Sequence, residues 1–233
     1  MVVEKTSLER TILMITYDQI RRSAMINALI ETGNQALYVM GFTDHGYAHV
    51  AATGVTADYI LRTLGYDERT CELARIAAYM HDIGNAVNRA DHALTGATLA
   101  HQILMSMGAD VSETAAIINA IGNHDERSAN AVSPLSAALI LADKSDVRRS
   151  RVRCSPNDIT FDIHDRVNYA VTDSSLTVDP DKQIIELKLI IDTDICPVMD
   201  YFEIFLTRML LCRKAADYFN LKFMLTINDT RML

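Results

Sequence analysis

The sequence predicts a mainly α-helical protein, with a helical bundle over residues 1–150 and a small α+β domain over residues 151–233. Three observations predict this fold. Helix caps and stops recur up to about residue 150, with no strand-like alternation between them. Beyond that point, short segments alternate apolar and polar residues as strands do. One long stretch there has apolar residues three and four positions apart, which predicts a single long helix.

The helices of the first part are predicted from their end signals. The capping-box sequence Thr6-Ser7-Leu8-Glu9 begins a long helix that runs toward Gly33. Thr43 and Asp44 are candidate caps for a second helix, which ends at Gly65. Three further helices are predicted from residues 67–82, which close at Gly84, and from residues 90–108 and 112–126. A last helix, from residue 133, has Ser133 as its cap and Pro134 in the first helical position.

The second part is predicted to contain a three-stranded sheet and one helix. Residues 167–179 and 183–192 alternate, and the turn sequence DPDK between them predicts an antiparallel hairpin. Residues 221–229 alternate again and predict a third strand. The helix between them has an apolar stripe from Phe202 to Phe219, which suits either the core or a homodimer surface.

Composition limits the classes of function. The chain has 233 residues, of which 49% are hydrophobic, so it can bury a core. Its net charge of -8 argues against a broad nucleic-acid surface, and any phosphate site must therefore be local. No uncharged run could span a bilayer or serve as a signal peptide. The four cysteines show no paired spacing and are interpreted as reduced thiols, so a cytoplasmic protein is expected.

Histidine and aspartate side chains gather at the predicted helix ends. Six of the seven histidines lie in the helical part, and His101 and His164 are interpreted as structural or surface residues. Helix ends on one side of a bundle can direct side chains to a common point. Neutral imidazole and carboxylate together bind divalent ions such as Fe, Mn, Co, Ni or Zn. The candidate ligands are His49, His81, Asp82, His92, His124 and Asp143.

This pattern resembles the HD superfamily of metal-dependent phosphohydrolases. The family motif is a His, an adjacent His-Asp pair and a distant Asp, and here it corresponds to His49, His81-Asp82 and Asp143. The likeness covers roughly residues 40 to 150 and implies an HD-type helical bundle. His92 and His124 match the additional histidines that members with two ions use. The chain departs from the family where many members have Lys after the His-Asp pair, because it has Asn85 there.

The resemblance implies one or two divalent ions, Fe, Mn, Co, Ni, Zn or Mg, and hydrolysis by water that the ion activates near neutral pH. Asp82, His92 and His124 are the implied catalytic residues, and Asp82 could bridge two ions because its carboxylate has two oxygens. The expected substrate is a small phosphorylated molecule, a nucleotide or dinucleotide, as for the small HD enzymes whose AI..H segment looks like the AIGNH of this chain. The expected substrate-binding residues are His45, Asn85, Arg89, Lys144 and Arg148.

One alternative belongs to another class of function, and a second concerns the basic residues after Asp143. A catalytically silent HD-fold module could use its C-terminal domain for regulation or interaction, although relatives of that kind tend to have lost ligands. The basic run of Lys144 and Arg148 could equally be a solvated helix end that interacts with the helix dipole.

Overall fold

The computed structural model describes residues 14–127, 129–153 and 163–232, and these form a helical bundle that continues into a small sheet. The helices are α1 (Tyr17–Arg22), α2 (Ala24–Val39), α3 (Tyr47–Thr63), α4 (Glu68–Met80), α5 (His92–Ser106), α6 (Val111–Gly122), α7 (Pro134–Lys144), α8 (Ile163–Ala170) and α9 (Val198–Tyr218). Short 3-10 turns follow α4 and α7, at Ile83–Ala86 and Arg149–Arg151. The predicted class, mainly α with a small C-terminal α+β part, is confirmed.

Two central helices account for the position of the candidate site. The side chains from Ile76 to Met80 in α4 are all buried, and so are those from Leu135 to Ala142 in α7. A helix that is apolar all round lies inside a protein and not on its surface. Helix α4 packs between α3 and α6 and against α7. Residues at the ends of α4 and α7 therefore lie deep in the bundle.

The sheet contains β1 (Val171–Asp179), β2 (Ile184–Ile191), β3 (Lys222–Ile227) and the two-residue β4 (Thr230–Arg231), in that spatial order. The predicted hairpin of β1 and β2 is antiparallel, with Leu176 opposite Leu187. Strand β3 pairs with β2 in parallel, which requires the long connection that α9 supplies. Helix α9 covers the sheet and also packs against α7. The prediction of three strands omitted β4, which is too short to show alternation.

Three predicted element boundaries are wrong. The first helix does not run unbroken toward Gly33: Ser23 caps a new helix by accepting a hydrogen bond from the Ile26 amide, and α2 passes through Gly33. The predicted capping box at residues 6–9 lies outside the described residues. Helix α3 begins after Gly46, because the carboxylate of Asp44 turns back to the Gly46 amide.

The third error concerns residues 167–170, which were predicted as strand and instead end α8. Val167 and Ala170 are buried on one side of this short helix, so packing outweighs the strand preference of a β-branched residue. The proposed division at residue 150 stays a prediction. Among the described residues, Cys71, Cys196 and Cys212 are free and buried, and no helix is long and apolar enough to cross a membrane.

Candidate metal centre

Five helices and the 3-10 turn after α4 bring the predicted ligands together. His49 lies in the first turn of α3, and His81 and Asp82 follow the last residue of α4. His92 begins α5, His124 lies just beyond α6, and Asp143 is in the last turn of α7. The four histidines and Asp82 are each at most 6% exposed, and the Asp143 side chain is 11% exposed. The six side chains are therefore shielded from bulk water.

The two oxygens of Asp82 lie at the middle of this cluster. Its Oδ2 is 3.3 Å from His81 Nε2 and 3.9 Å from His49 Nε2. Its Oδ1 is 3.3 Å from His92 Nε2 and 3.8 Å from His124 Nε2. One oxygen therefore lies closest to one pair of histidines and the other oxygen to the other pair.

Asp143 completes the first half of the cluster. Its Oδ1 lies 3.2 Å from His49 Nε2 and 3.7 Å from His81 Nε2. Potential ligand atoms within 4.8 Å of one another form three groups: His49, His81 and Asp82; His81, His124 and Asp143; and Asp82, His92 and His124.

Each histidine is oriented through its other ring nitrogen. The Nδ1 of His81 lies 2.7 Å from the Ala78 carbonyl, that of His124 lies 2.6 Å from the Ile121 carbonyl, and that of His92 lies 3.1 Å from the Arg89 carbonyl. The Nδ1 of His49 lies 2.6 Å from the Asp146 carboxylate. Because Nδ1 must donate in each contact, Nε2 of each ring faces the cluster and presents a lone pair whenever that ring is neutral. Metal-binding histidines are oriented in this way.

The unsatisfied atoms show that the residues fit a cation. The Nε2 atoms of His49 and His81 are buried and have no hydrogen-bond partner. His92 Nε2 lies 3.2 Å from His124 Nε2 and 3.3 Å from an Arg89 nitrogen, so one positive charge already stands beside this pair. Buried electron-pair donors in contact with one another are unfavourable without a positive charge between them. The donor set, imidazole nitrogen with carboxylate oxygen, suits a borderline divalent ion.

The close approach of carboxylates and imidazoles also shifts the pKa values of Asp82, Asp143 and His81. Burial alone would raise the pKa of the Asp82 carboxyl, but His81 and the neighbouring histidines hold that pKa well below its ordinary value. Burial would also raise the pKa of the Asp143 carboxyl, but Lys144, His49 and His81 hold it well below its ordinary value. Burial disfavours the charged form of His81, yet Asp82 and Asp143 outweigh it and raise the pKa of His81 to about 10. Both carboxylates thus stay ionised and favour positive charge at this position.

Two polar residues hold the carboxylate and one imidazole in place. The Asn85 amide, 2% exposed, donates 2.9 Å to Asp82 Oδ1 and 3.0 Å to the Asp82 carbonyl. The Asp146 carboxylate contacts His49 and is itself held by Arg148 and Arg151. Asn85 was predicted to bind substrate, but it is enclosed beside Asp82 and does not line the cavity. Asp146 was not predicted, and its only signal is the second Asp of the ADKSD segment.

Basic side chains surround the open side of the cluster. A small cavity of about 20 Å³ reaches Asp82, His92, His124 and Asp143, and His45 lies at its wall. The other wall residues are Arg89, Lys144, Arg151 and Arg208. His45, Arg89 and Lys144 were predicted to bind substrate, and the structure brings all three to the cavity.

Arg148 is not brought to the cavity. Its side chain turns toward Asp146 and lies beside Ser174 and Leu176 instead. Arg208 was not predicted. It lies in α9 and donates to Glu126, which is 82 residues earlier in the sequence, so no local pattern connects the two residues. His101 and His164 are exposed, as expected.

Residues 46–167, more than half of the chain, match the HD domain family, and the chain belongs to that family. The HD superfamily is one of metal-dependent phosphohydrolases. The chain is also 25% identical over 213 residues to the uncharacterized protein MJ1020 of Methanocaldococcus jannaschii. The matched region covers 82% of this chain and 81% of that protein. HD domains bind divalent metal ions, and the His/Asp cluster of this chain could hold one.

Proposed function

We propose that this protein is a metal-dependent phosphohydrolase that cleaves the phosphate bond of a small nucleotide. The observation that carries the proposal is the set of four imidazoles with anchored Nδ1 atoms, whose Nε2 atoms lie around the two oxygens of Asp82. A basic cavity opens directly onto this set. Metal-binding donors beside phosphate-binding side chains are the components that phosphate hydrolysis requires.

The proposed ligands divide into two groups around Asp82. His49, His81, Asp82 and Asp143 would hold one divalent ion, and Asp82, His92 and His124 would hold a second. A bound ion supplies Lewis acidity toward a phosphoryl oxygen and makes water a better nucleophile near neutral pH. In this proposal Asp82, His92 and His124 are catalytic because they contact the reacting centre.

The basic wall residues bind the phosphate group. Lys144 Nζ lies 2.7 Å from Asp143, so it brings positive charge to the edge of the ligand set. The Arg151 side chain is held by the carbonyls of Asp44 and Asp146, at 2.9 and 2.8 Å, which fixes its guanidinium at the wall. Preorganised cations stabilise the charge that develops on phosphoryl oxygens. Arg89, which has one nitrogen 3.3 Å from the Asn85 side-chain oxygen, adds a second guanidinium.

His45 can hold a proton at the cavity. Its Nδ1 lies 2.7 Å from the Thr43 carbonyl, so the neutral ring presents Nε2 as an acceptor. Burial, and then the charge of Arg151, keep the pKa of His45 well below its ordinary value, so the ring is neutral at pH 7. A neutral imidazole at the cavity wall can accept a hydrogen bond from water or from a substrate hydroxyl.

The test is phosphate release from a panel of nucleotides by the purified protein, with Mn, Fe, Co, Ni, Zn or Mg supplied separately. We expect metal-dependent hydrolysis by the unmodified protein, and loss of both metal content and activity in His81→Ala and Asp82→Ala. The matched control is His101→Ala, since His101 is an exposed histidine outside the cluster. Metal content and activity unchanged in both site variants would contradict the proposal.

A further inference from the structure

A second cleft adjoins the metal cavity on the side of the C-terminal helices. We call it the outer cleft; it has a volume of about 200 Å³ and lies between the α2–α3 loop, α8 and α9. His45, Arg89 and Arg208 line both the outer cleft and the metal cavity. A molecule whose phosphate lies at the metal cavity therefore extends past these three side chains into the outer cleft.

The walls of the two spaces differ in chemistry. Apart from the shared residues, the metal cavity is lined by carboxylates, imidazoles, Lys144 and Arg151. The outer cleft adds apolar groups, from Met40, Phe42 and Phe205, and polar groups from Thr43, His164 and Asn168. Apolar walls with a few polar groups are characteristic of sites for an uncharged organic group.

Two pairs of a guanidinium group and an aromatic ring line the outer cleft. The Arg89 guanidinium lies over the Phe42 ring, 5.4 Å from the ring centroid, and the Phe42 side chain is 41% exposed. The Arg208 guanidinium lies over the Phe205 ring at 4.6 Å, and this ring is buried beneath it. Exposed aromatic rings and guanidinium planes are the surfaces on which nucleobases stack.

The loop that carries Phe42 is held by its backbone. The Phe42 amide donates 2.9 Å to the Leu37 carbonyl, and Gly41 provides the left-handed conformation that the turn requires, with φ of 81°. The position of the ring does not depend on burial of its side chain. Replacement of Phe42 therefore changes the surface of the cleft without disturbing the core.

We infer that the outer cleft is the base-binding subsite of this enzyme, and that the substrate is a nucleoside monophosphate whose base stacks on the exposed Phe42 ring while its phosphate lies at the metal cavity. The inference rests on the proposed function for the placement of the phosphate. It also assigns a role to the C-terminal part of the chain, because Phe205 and Arg208 of α9 form one wall of the substrate site.

Equilibrium binding to the full chain in the presence of chelator tests this inference without turnover. The probes are adenosine 5'-monophosphate and ribose 5-phosphate, which differ only by the base. We expect the nucleotide to bind more tightly than the sugar phosphate. Phe42→Ala is expected to weaken nucleotide binding by about tenfold, the effect of one lost stacking contact, and to change ribose 5-phosphate binding by less than about twofold.

Two further variants serve as controls. Phe42→Trp keeps an aromatic surface and should retain nucleotide binding. Tyr218→Ala removes a ring that is 37% exposed and does not line the outer cleft. It should leave the dissociation constants of both the nucleotide and the sugar phosphate unchanged. Equal binding of the two probes to the unmodified protein, or equal weakening of both by Phe42→Ala, would overturn the inference. Base-dependent binding without any metal-dependent hydrolysis would support the subsite and count against the proposed function alone.

Discussion

Asp82 is the residue on which the geometry of the metal centre depends. Its two oxygens face two separate pairs of imidazoles, and the Asn85 amide holds the oxygen that faces His92. The ligand types and their places at helix ends are visible in the sequence, because a His-Asp pair and a Gly stop are local signals. The carbonyls that orient His81, His92 and His124 lie only three residues earlier in the chain. The partner of His49 lies 97 residues away, and its role is not visible in the sequence.

Asp146 illustrates this difference. It lies 97 residues from His49 in the sequence, yet its Oδ2 is 2.6 Å from His49 Nδ1. Asp146→Asn keeps an acceptor but removes the negative charge that makes the imidazole a stronger ligand. Since such substitutions beside a metal ligand typically weaken binding ~10–100-fold, we expect a loss of about tenfold or more in Mn²⁺ affinity, measured by competition with a chelating dye.

The control for this prediction is Asp58→Asn, which makes the same chemical change at the far side of α3, where Asp58 pairs with Arg62. Its affinity for Mn²⁺ should equal that of the unmodified protein. Equal affinities for all three proteins would show that His49 does not need Asp146, and the assigned role of Asp146 would be wrong.

At the scale of the elements, the close approach of the 3-10 turn to α5 shapes the centre. A Cβ on Gly84 would lie 2.0 Å from the His92 carbonyl oxygen and 2.6 Å from the Gly96 amide nitrogen. The sequence indicates Gly84 only as a helix stop. The stronger constraint on Gly84 is the backbone of α5, which packs against it. The helix end was therefore predicted correctly, but the packing that requires a glycine there was not.

Gly84→Ala should therefore destabilise the protein, because neither backbone atom can move without displacing His92. We expect a loss of about 2 kcal/mol or more in the free energy of unfolding, as for other substitutions that force a steric clash in a core. Urea denaturation in the presence of chelator measures this value without a contribution from bound metal.

The matched control is Gly122→Ala, at the end of α6, where a Cβ would meet only the Ala97 side chain at an ordinary 3.7 Å. Helical Gly→Ala changes in compatible positions stabilise by ~0.4–1 kcal/mol. If both variants showed the same stability, the close approach at Gly84 would not constrain the fold.

At the scale of the whole molecule, the C-terminal part contributes to the centre. Helix α9 packs against α7 and places Arg208 at the cavity, where its Nε donates 2.6 Å to Glu126. The periodicity of the sequence identifies α9 and its apolar stripe, but not which face of the bundle it covers. A chain of net charge -8 thus presents a basic cavity, which only the assembled fold reveals.

The most direct measurement of the metal centre is anomalous X-ray scattering from crystals of the protein grown with Mn²⁺. We expect a peak bounded by the Nε2 atoms of His49 and His81 and by the carboxylates of Asp82 and Asp143, with a second peak beside His92 and His124 if two ions bind. Crystals that contain Mn²⁺ elsewhere, with no anomalous peak among these six side chains, would contradict it.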